Sequence, residues 1–112
     1  MKLITAIIKP DRFDNVCSAL AQIGITGITA TEVSGFGRHK GRTEIYRGAE
    51  YAFGVRAKIK IEVAVANEQL EPAVEVITHA AQTGHTGDGR VFVTALEQAI
   101  RIRTGEACSE TV

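Results

Sequence analysis

A glycine-dense segment, TGHTGDGR at residues 83–90, is the part of the sequence that most directly indicates chemistry. Closely spaced glycines let successive backbone N–H groups turn toward one point, which makes a concave anion site, and Arg90 adds a positive charge. The spacing imitates a P-loop, but Arg90 replaces the lysine and Val91 replaces the magnesium-binding Ser or Thr. A strand, not a helix, is predicted to follow. A Walker-type NTPase is therefore disfavoured, and a plain tight turn remains the alternative to an anion site.

A second basic feature is the segment Arg101-Ile102-Arg103. In an extended segment, two arginines two residues apart point to the same side, and guanidinium groups suit phosphate oxygens. A solvated basic edge is the alternative interpretation. Together with the glycine-dense segment, the arginine pair favours a polyphosphate ligand, although the sequence does not show whether the two segments meet.

The remaining polar residues form no catalytic pattern. The acids Asp11, Asp14 and Glu32 make no catalytic pair, and the histidines are scattered without metal-ligand spacing (His39, His79, His85). The sequence contains no nucleophile elbow and supports no Ser/His/Asp arrangement. We therefore predict that the protein is not an enzyme.

Length and composition indicate one globular domain over residues 1–112. The formal net charge is +0, from 13 basic and 13 acidic residues, so any charged partner must be met by a local patch. The two cysteines show no metal-ligand spacing, which favours a reducing compartment. The apolar N-terminal run is too short for a signal peptide and no stretch approaches the roughly 18 apolar residues of a membrane span. These features predict a cytoplasmic protein that does not insert into a membrane.

Hydrophobic periodicity predicts four strands and two helices. The strands are predicted at Leu3–Ile8, Ile28–Phe36, Lys58–Val65 and Val91–Val93. Helical spacing marks two segments, one by Phe13, Val16, Leu20 and Ile23 and one by Leu70, Val74, Ile77 and Ala81. Asp11 is expected to cap the first helix and Gly24 to end it.

The order β-α-β-β-α-β predicts an α+β, ferredoxin-like sandwich, with two helices on one face of an antiparallel sheet. This fold hosts many unrelated functions, so it decides nothing about activity. A single helix layer leaves the opposite sheet face uncovered. We therefore expect the chain to form an oligomer.

The segment 37–57, between the second and third predicted strands, shows no sustained period. Loops of this length are uncommon in compact domains and are usually functional or disordered. It is basic and contains two tyrosines: Arg38, Lys40, Arg42, Arg47 and Arg56 stand against Glu44 and Glu50, with Tyr46 and Tyr51. A solvated, disordered insert is the alternative to a functional loop.

Two segments of the sequence resemble signatures of the PII signal-transduction proteins. One is YRGAEY, residues 46–51, and the other is TGHTGDGRVFV, residues 83–93. The opening MKLITAIIKP, TEVSGFGR at 31–38 and IRIRTGE at 100–106 are also similar to that family. The resemblance runs from Met1 to about Glu106 without an evident gap.

The resemblance implies a homotrimer with competing ATP and ADP sites in the clefts between subunits. Residues 83–90 would form the phosphate-binding B-loop, and the basic C-terminal segment would be about 100–112. The residues it implies for phosphates, sugar and base are Thr29, Gly37, Arg38, Glu62, Ala64, Gly87, Asp88, Gly89, Arg90, Arg101 and Arg103. Ala64 stands where the family often has valine, and Arg90 stands where it most often has lysine.

The resemblance also makes residues 37–57 the T-loop, which contacts partner proteins. Its conformation in the family depends on the nucleotide and on 2-oxoglutarate, which binds through a magnesium ion on ATP. His39, Lys40, Gly41 and Lys58 are the implied effector residues. Tyr51 stands where many bacterial members are uridylylated. Arg47 stands where members that block ammonium channels insert an arginine.

Two departures from the family pattern concern the effector and the partner proteins that contact the second half of the loop. His39 replaces a glutamine whose oxygen helps to hold magnesium; histidine can ligate a metal, but magnesium prefers oxygen. The segment 52–57 also differs from the common acidic, proline-containing one. These departures favour the alternative of a divergent sensor that reads adenylates and another anion, such as bicarbonate, and regulates carbon uptake.

The leading hypothesis is a non-enzymatic regulator of nitrogen assimilation that senses ATP, ADP and 2-oxoglutarate. Two other classes are weaker. An acylphosphatase-like enzyme on this fold needs an arginine anion cradle and an asparagine that places water, and the sequence offers no convincing pair. A nucleic-acid binder is disfavoured by the zero net charge and the lack of interleaved stacking aromatics.

Overall fold

The computed structural model describes the backbone of residues 1–38, 44–46, 49–51 and 53–108 and, outside 37–54, their side chains. Its elements in chain order are β1 (Lys2–Ile8), α1 (Phe13–Gln22), β2 (Ile28–Arg38), β3 (Glu44–Tyr46), β4 (Ala49–Tyr51), β5 (Phe53–Val65), α2 (Leu70–Ala81), β6 (Gly89–Ala95), β7 (Ala99–Ile100) and β8 (Ala107–Cys108). Short 3-10 turns, Pro10–Arg12 and Asn67–Gln69, lead into the two helices.

Four strands form an antiparallel sheet in the order β2-β5-β1-β6. The helices cover one face and bury a single apolar core: Ile4, Ala6, Ile8, Val16, Leu20, Ile25, Ile61, Val63, Val65, Ala73, Ile77 and Ala81. The alternation of Ile4, Ala6 and Ile8 with half-buried neighbours shows that β1 turns one side chain in two toward the helices. This arrangement confirms the predicted ferredoxin-like βαββαβ fold.

Helix α1 ends as predicted but begins differently. Gly24, at a φ of 82°, donates its N–H to Ala21 (3.0 Å), and Ile25 donates to Leu20 (2.9 Å), which is a Schellman motif. The expectation that Asp11 caps the start is wrong. Pro10 opens a 3-10 turn that runs straight into the helix, so the capping position falls on Arg12, whose side chain makes no cap bond.

The predicted loop at 37–57 is flanked by more sheet than the sequence pattern indicates. β2 and β5 pair beyond Phe36 and Lys58 to the partners Gly37↔Gly54 and Arg38↔Phe53. Residues 44–46 and 49–51 pair as a small hairpin. Glycines carry no side chain to show alternation, whereas a backbone ladder needs none, so periodicity missed this extension. β2 and β5 therefore form a two-stranded arm that leads into the segment.

The sheet face opposite the helices is uncovered in the single chain. Leu3, Thr5 and Ile7 on β1 lie half-buried on this face, and Phe92 on β6 is 49% exposed. On β5 the same face carries Lys58, Lys60, Glu62 and Ala64. The face is therefore apolar around Leu3, Ile7 and Phe92 and charged along β5 and at Arg90, which gives the expected oligomer a surface to bury.

Candidate functional site

The glycine-dense segment connects α2 to β6, and one carboxylate organises it. Asp88 Oδ2 accepts the N–H groups of Thr83 (2.8 Å) and Gly84 (3.0 Å), while Oδ1 accepts the Thr83 hydroxyl. These hydrogen bonds to the charged form lower the pKa of Asp88 well below its usual range, with Lys9 adding to the effect. The loop is therefore built around an ionised aspartate.

Lys9 holds the loop to the sheet from the end of β1. Its Nζ lies 3.2 Å from Asp88 Oδ1 and donates to Thr83 Oγ1 at 3.3 Å. The preceding residue, Ile8, pairs with Gly89 at the start of β6. In an antiparallel pair, the end of one strand lies beside the start of its neighbour. The lysine that follows β1 therefore meets the loop that precedes β6.

Lys58 approaches the same loop from β5. Its ammonium donates to the Gly87 carbonyl, and its stem passes so close to Gly35 that a Cβ there would lie 3.1 Å from Lys58 Cγ. Partial burial lowers the pKa of Lys58; nearby Lys9 and Arg56 lower it further, whereas Asp88 opposes them. Such a lysine favours an anionic neighbour, because an added negative charge would stabilise its ammonium.

These elements enclose an open cleft of about 1160 Å³. Strands β1, β2, β5 and β6, the Pro10 turn and the glycine loop line it, through residues that include Gly35, Phe36, Gly87 and Phe92. Four cations border it, whereas among the lining residues only two acids do so: Lys9, Arg56, Lys58 and Arg90, against Asp11 and Asp88. Asp88 is already bonded within the loop, so the cleft suits an anion.

Gly89 allows β6 to approach β1 closely at this point. Its φ is 109°, and a Cβ on it would lie 1.7 Å from the Ile7 carbonyl oxygen. No residue with a side chain fits there without moving a strand. The glycine thus sets where the phosphate-type loop joins the sheet.

The residues implied for the base lie further along the uncovered face. Thr29 on β2 pairs with Glu62 on β5, which in turn pairs with Thr5 on β1. Ala64 follows two residues later on the same face. Arg90 lies on the edge strand β6, two strands away from Glu62 on β5. This separation corresponds to roughly 10 Å across the sheet. The structure therefore places these residues on one surface with the cleft, but not in contact with the loop.

Arg101 and Arg103 are not in an extended segment, so that expectation is wrong. They lie in the turn of the β7–β8 hairpin, where Gly105 has a φ of 71° and donates to the Arg101 carbonyl (2.7 Å). Arg101 N–H donates to Glu106 (2.9 Å), and Ile102 is fully exposed. The positive φ of Gly105 lets the chain reverse here.

This hairpin follows the C-terminal end of β6, whereas the glycine loop precedes its N-terminal end. β6 has seven residues, which span roughly 20 Å, and Leu96 beyond it is bonded to Met1 at the start of β1. Within the described residues, neither Arg101 nor Arg103 makes a hydrogen bond or an ion pair to the loop at 83–90. The two predicted phosphate-binding segments do not meet in one chain.

Several predicted residues lie wholly or partly outside the described structure. His39, Lys40, Gly41 and Arg47 lie outside the described residues. Gly37, Arg38 and Tyr51 lie in described strands, for which only the backbone is described. Their assignments stay predictions.

Lys9 is absent from the residues that the sequence predicts for the site, although it contacts the loop directly. The topology would have indicated this residue. Lys9 follows β1, and β1 pairs antiparallel with β6, the strand that begins where the loop ends. The role of Lys9 can therefore be inferred only once the strand order, which places β1 beside β6, is known.

Among the residues with described positions, no group of three or more His, Cys, Asp and Glu side chains could hold a metal ion. None of the described helices combines the length and hydrophobicity needed to span a bilayer.

Fold and site together define a small ferredoxin-like protein with a cationic, glycine-rich cleft and a paired-strand arm. The family model described as "Nitrogen regulatory protein P-II" matches residues 1–106. The chain belongs to this family.

Individual relatives agree with this assignment. A nitrogen regulatory protein P-II of Rhizobium etli is 55% identical over 112 residues, covering 100% of both chains. The nitrogen regulatory protein GlnK of Escherichia coli K12 is 54% identical over 107 residues, covering 96% of each. A P-II protein of Rhodospirillum rubrum is 54% identical over 112 residues and 100% of both chains.

Proposed function

We propose that the chain is a non-enzymatic signal-transduction regulator of nitrogen metabolism, which binds ATP and ADP competitively and acts on partner proteins in the cytoplasm. The observation that carries this proposal is the cleft beside residues 83–90, which four cations and a glycine-rich loop border. The regulatory role rests on family membership and on the printed names of the relatives.

Charge supports a polyphosphate as the ligand. Four cations from β5, β6 and the end of β1 border the cleft, and Asp88, one of its two acids, is hydrogen-bonded within the loop. A bound triphosphate would supply an anionic partner for Lys58 and Arg90. A guanidinium group can bind phosphate oxygens through two parallel hydrogen bonds, so Arg90 can substitute for the lysine common in the family.

The separation of the two basic segments supports a homotrimer with sites between subunits. Residues 83–90 and the Arg101–Arg103 turn lie at opposite ends of β6, so one chain offers two half-sites. A neighbouring copy that packs against the uncovered sheet face would bring its own arginine turn to the cleft. The base would then lie near Thr29, Glu62 and Ala64, which share that face.

The effector proposed for the same cleft is 2-oxoglutarate, bound through Mg²⁺ on ATP. Lys58 supports it, because its ammonium faces the cleft from β5 and would pair with a carboxylate. The proposed partners, among them an ammonium channel, would be contacted through residues 37–57, with Arg47 as a contact and Tyr51 as a uridylylation site.

The alternative is a sensor of adenylates and another anion such as bicarbonate, regulating carbon uptake. It rests on His39, which stands in place of an oxygen-donating glutamine. Titration with 2-oxoglutarate decides between the two. Enhancement of binding by Mg-ATP favours the nitrogen sensor, whereas nucleotide binding without any 2-oxoglutarate response favours the alternative.

The test of the shared site is calorimetric titration with ATP and ADP, followed by subunit mixing. We expect Arg90→Ala and the double variant Arg101→Ala/Arg103→Ala each to lose nucleotide affinity by on the order of tenfold or more. Co-refolding the two variants should restore part of the sites, because a mixed trimer pairs an intact loop with an intact arginine turn. Arg12→Ala, which alters an arginine outside the cleft, is the control.

Two outcomes would contradict the proposal. Absence of ATP and ADP binding by the wild-type protein would reject a nucleotide sensor. Nucleotide binding without recovery on mixing would place both basic segments in one subunit's site and reject the shared cleft.

A further inference from the structure

The carboxylate of Asp88 has no hydrogen-bonding capacity to spare. It accepts two backbone N–H groups, one hydroxyl and one ammonium, from Thr83, Gly84 and Lys9. A carboxylate offers about four lone-pair positions, so these four donors fill it. The side chain is also only about one-quarter exposed. Its oxygens are therefore committed to the protein and are not available to a magnesium ion.

The hydroxyl of Thr83 takes part in three hydrogen bonds at once. It donates to Asp88 Oδ1 and accepts from Lys9 Nζ (3.3 Å) and from the His85 N–H (3.2 Å). One hydroxyl thus joins the start of the loop, its end and the neighbouring strand. Serine could make the same bonds, whereas valine, which has the same shape as threonine, could make none of them.

The ammonium of Lys9 connects the group to the sheet. Lys9 follows β1, a central strand of the sheet, and its side chain is 26% exposed. Its two bonds go to Asp88 and Thr83, on either side of the intervening turn. Residues 83–88 are thereby closed into a ring of polar contacts and tied to β1.

This ring leaves part of the loop backbone for a ligand. Among the described residues, the N–H groups of Thr86 and Gly87 make no hydrogen bond. Gly87, at a φ of 90°, lies beside the cleft with Lys58 Nζ next to it. The side chains of Asp88, Thr83 and Lys9 therefore shape the turn that presents these groups to the cleft.

We propose that Lys9 and Thr83 are positioning residues for phosphate binding, which act through Asp88 to hold the 83–90 loop in its anion-binding shape. The inference rests on the proposed nucleotide function; it adds Lys9, which the sequence does not predict for the site, and gives Thr83 a defined role within the predicted loop. In this arrangement the Asp88 carboxylate is an internal support and contacts neither phosphate nor metal.

The test compares Thr83→Val with Thr83→Ser, using ATP and AMP as probes. Thr83→Val should weaken ATP binding by on the order of tenfold and AMP binding less, since AMP offers the loop fewer phosphate groups. Thr83→Ser should retain wild-type affinity. Thr26→Val, an exposed threonine before β2, is the matched control and should change nothing.

A second readout needs no nucleotide. Amide hydrogen exchange at Gly84 and His85, whose N–H groups donate to Asp88 and Thr83, should become faster in Thr83→Val and in Lys9→Met, and stay unchanged in Thr83→Ser. Lys2→Met, at the other end of β1, is the matched control for Lys9→Met. If the wild-type protein binds no nucleotide, the proposed function fails, while the exchange data still decide whether the support exists.

Three results would overturn the inference. The first is unchanged ATP affinity and unchanged exchange in both Thr83→Val and Lys9→Met. The second is an equal loss in Thr83→Ser and Thr83→Val, which would point to shape and not to the hydroxyl. The third is a loss in Asp88→Asn that appears only with Mg²⁺ present, which would make the carboxylate a metal ligand.

Discussion

At the scale of single residues, the site depends on charges that stabilise or destabilise each other over a few ångströms. Asp88 is held ionised by donors on three sides, whereas Lys58 is a cation near other cations. The lysine's pKa is lowered by burial first and by Lys9 and Arg56 next. An anionic ligand would offset the lowering caused by Lys9 and Arg56. Ligand binding and the protonation of Lys58 are therefore coupled.

The ionised state of Asp88 makes the loop sensitive to acid in a defined direction. Its folded pKa is depressed, so its contribution to stability is complete above the unfolded value of about 3.9 and decreases as pH falls below it. We expect wild type to exceed Asp88→Asn in free energy of unfolding at pH 7, and the difference to shrink below about pH 4. Urea denaturation at several pH values measures it. A difference that is the same at pH 3 and pH 7 would contradict the assignment.

At the scale of elements, the close approach of β1 and β6 is the feature with the sharpest steric demand. Most strand pairs tolerate any small residue, but Gly89 combines a left-handed φ with contact to a backbone carbonyl. Backbone cannot move aside as a flexible side chain does. The junction of loop and sheet thus depends on one glycine.

Gly89→Ala should separate the first residues of β6 from β1. We expect a loss of roughly 1–3 kcal/mol in the free energy of unfolding from backbone strain, with a further loss from the displaced ladder. Gly84→Ala is the matched control, because Gly84 also has a positive φ, of 83°, but has nothing within 4 Å of a Cβ. Denaturant unfolding of both variants measures the difference. Equal losses would show that the contact with Ile7 carries no cost.

Much of the element pattern was predictable from the sequence, and the failures have physical causes. The end of α1 at Gly24 follows from an apolar stripe that stops before a glycine, and the structure has it there. The start at Asp11 failed because Pro10 already opens a 3-10 turn. The arm formed by β2 and β5 was missed because Gly37 and Gly54 carry no periodic side chains.

The site was predictable in its residues more than in its geometry. The glycine loop and Arg90 were identified from composition, and both border the cleft. The arginine pair was expected to be extended, but the turn at Gly105 reverses the chain. Lys9 was not predicted, because its role depends on which strand lies beside β1. Spacing along a chain does not contain that information.

At the scale of the whole molecule, the uncovered sheet face and the divided basic segments point to the same arrangement. The face is apolar around Leu3, Ile7 and Phe92, and Phe92 leaves half of its surface exposed. A helix layer covers only the other side. A second copy would bury this face and complete the cleft in one step.

A charged residue on this face should prevent assembly. Light scattering of the wild-type protein should give about three times the chain mass of 12.0 kDa, whereas Leu3→Glu should give a smaller species. The cost arises from burying an unpaired carboxylate. Ile23→Glu, at the end of α1 on the helix side, is the control and should remain assembled. A wild-type mass of one chain would contradict the trimer.

The contact between Gly89 and Ile7 also limits how the chain can pair while it folds. β1 and β6 are distant in sequence, so their pairing closes a long loop and could form in a wrong alignment. A slip of one residue would exchange the two faces of β6. A slip of two would either force Val91 against the Ile7 carbonyl or place Gly89 in the core position of Val91. The glycine that admits the close approach therefore also selects the native alignment from its neighbours.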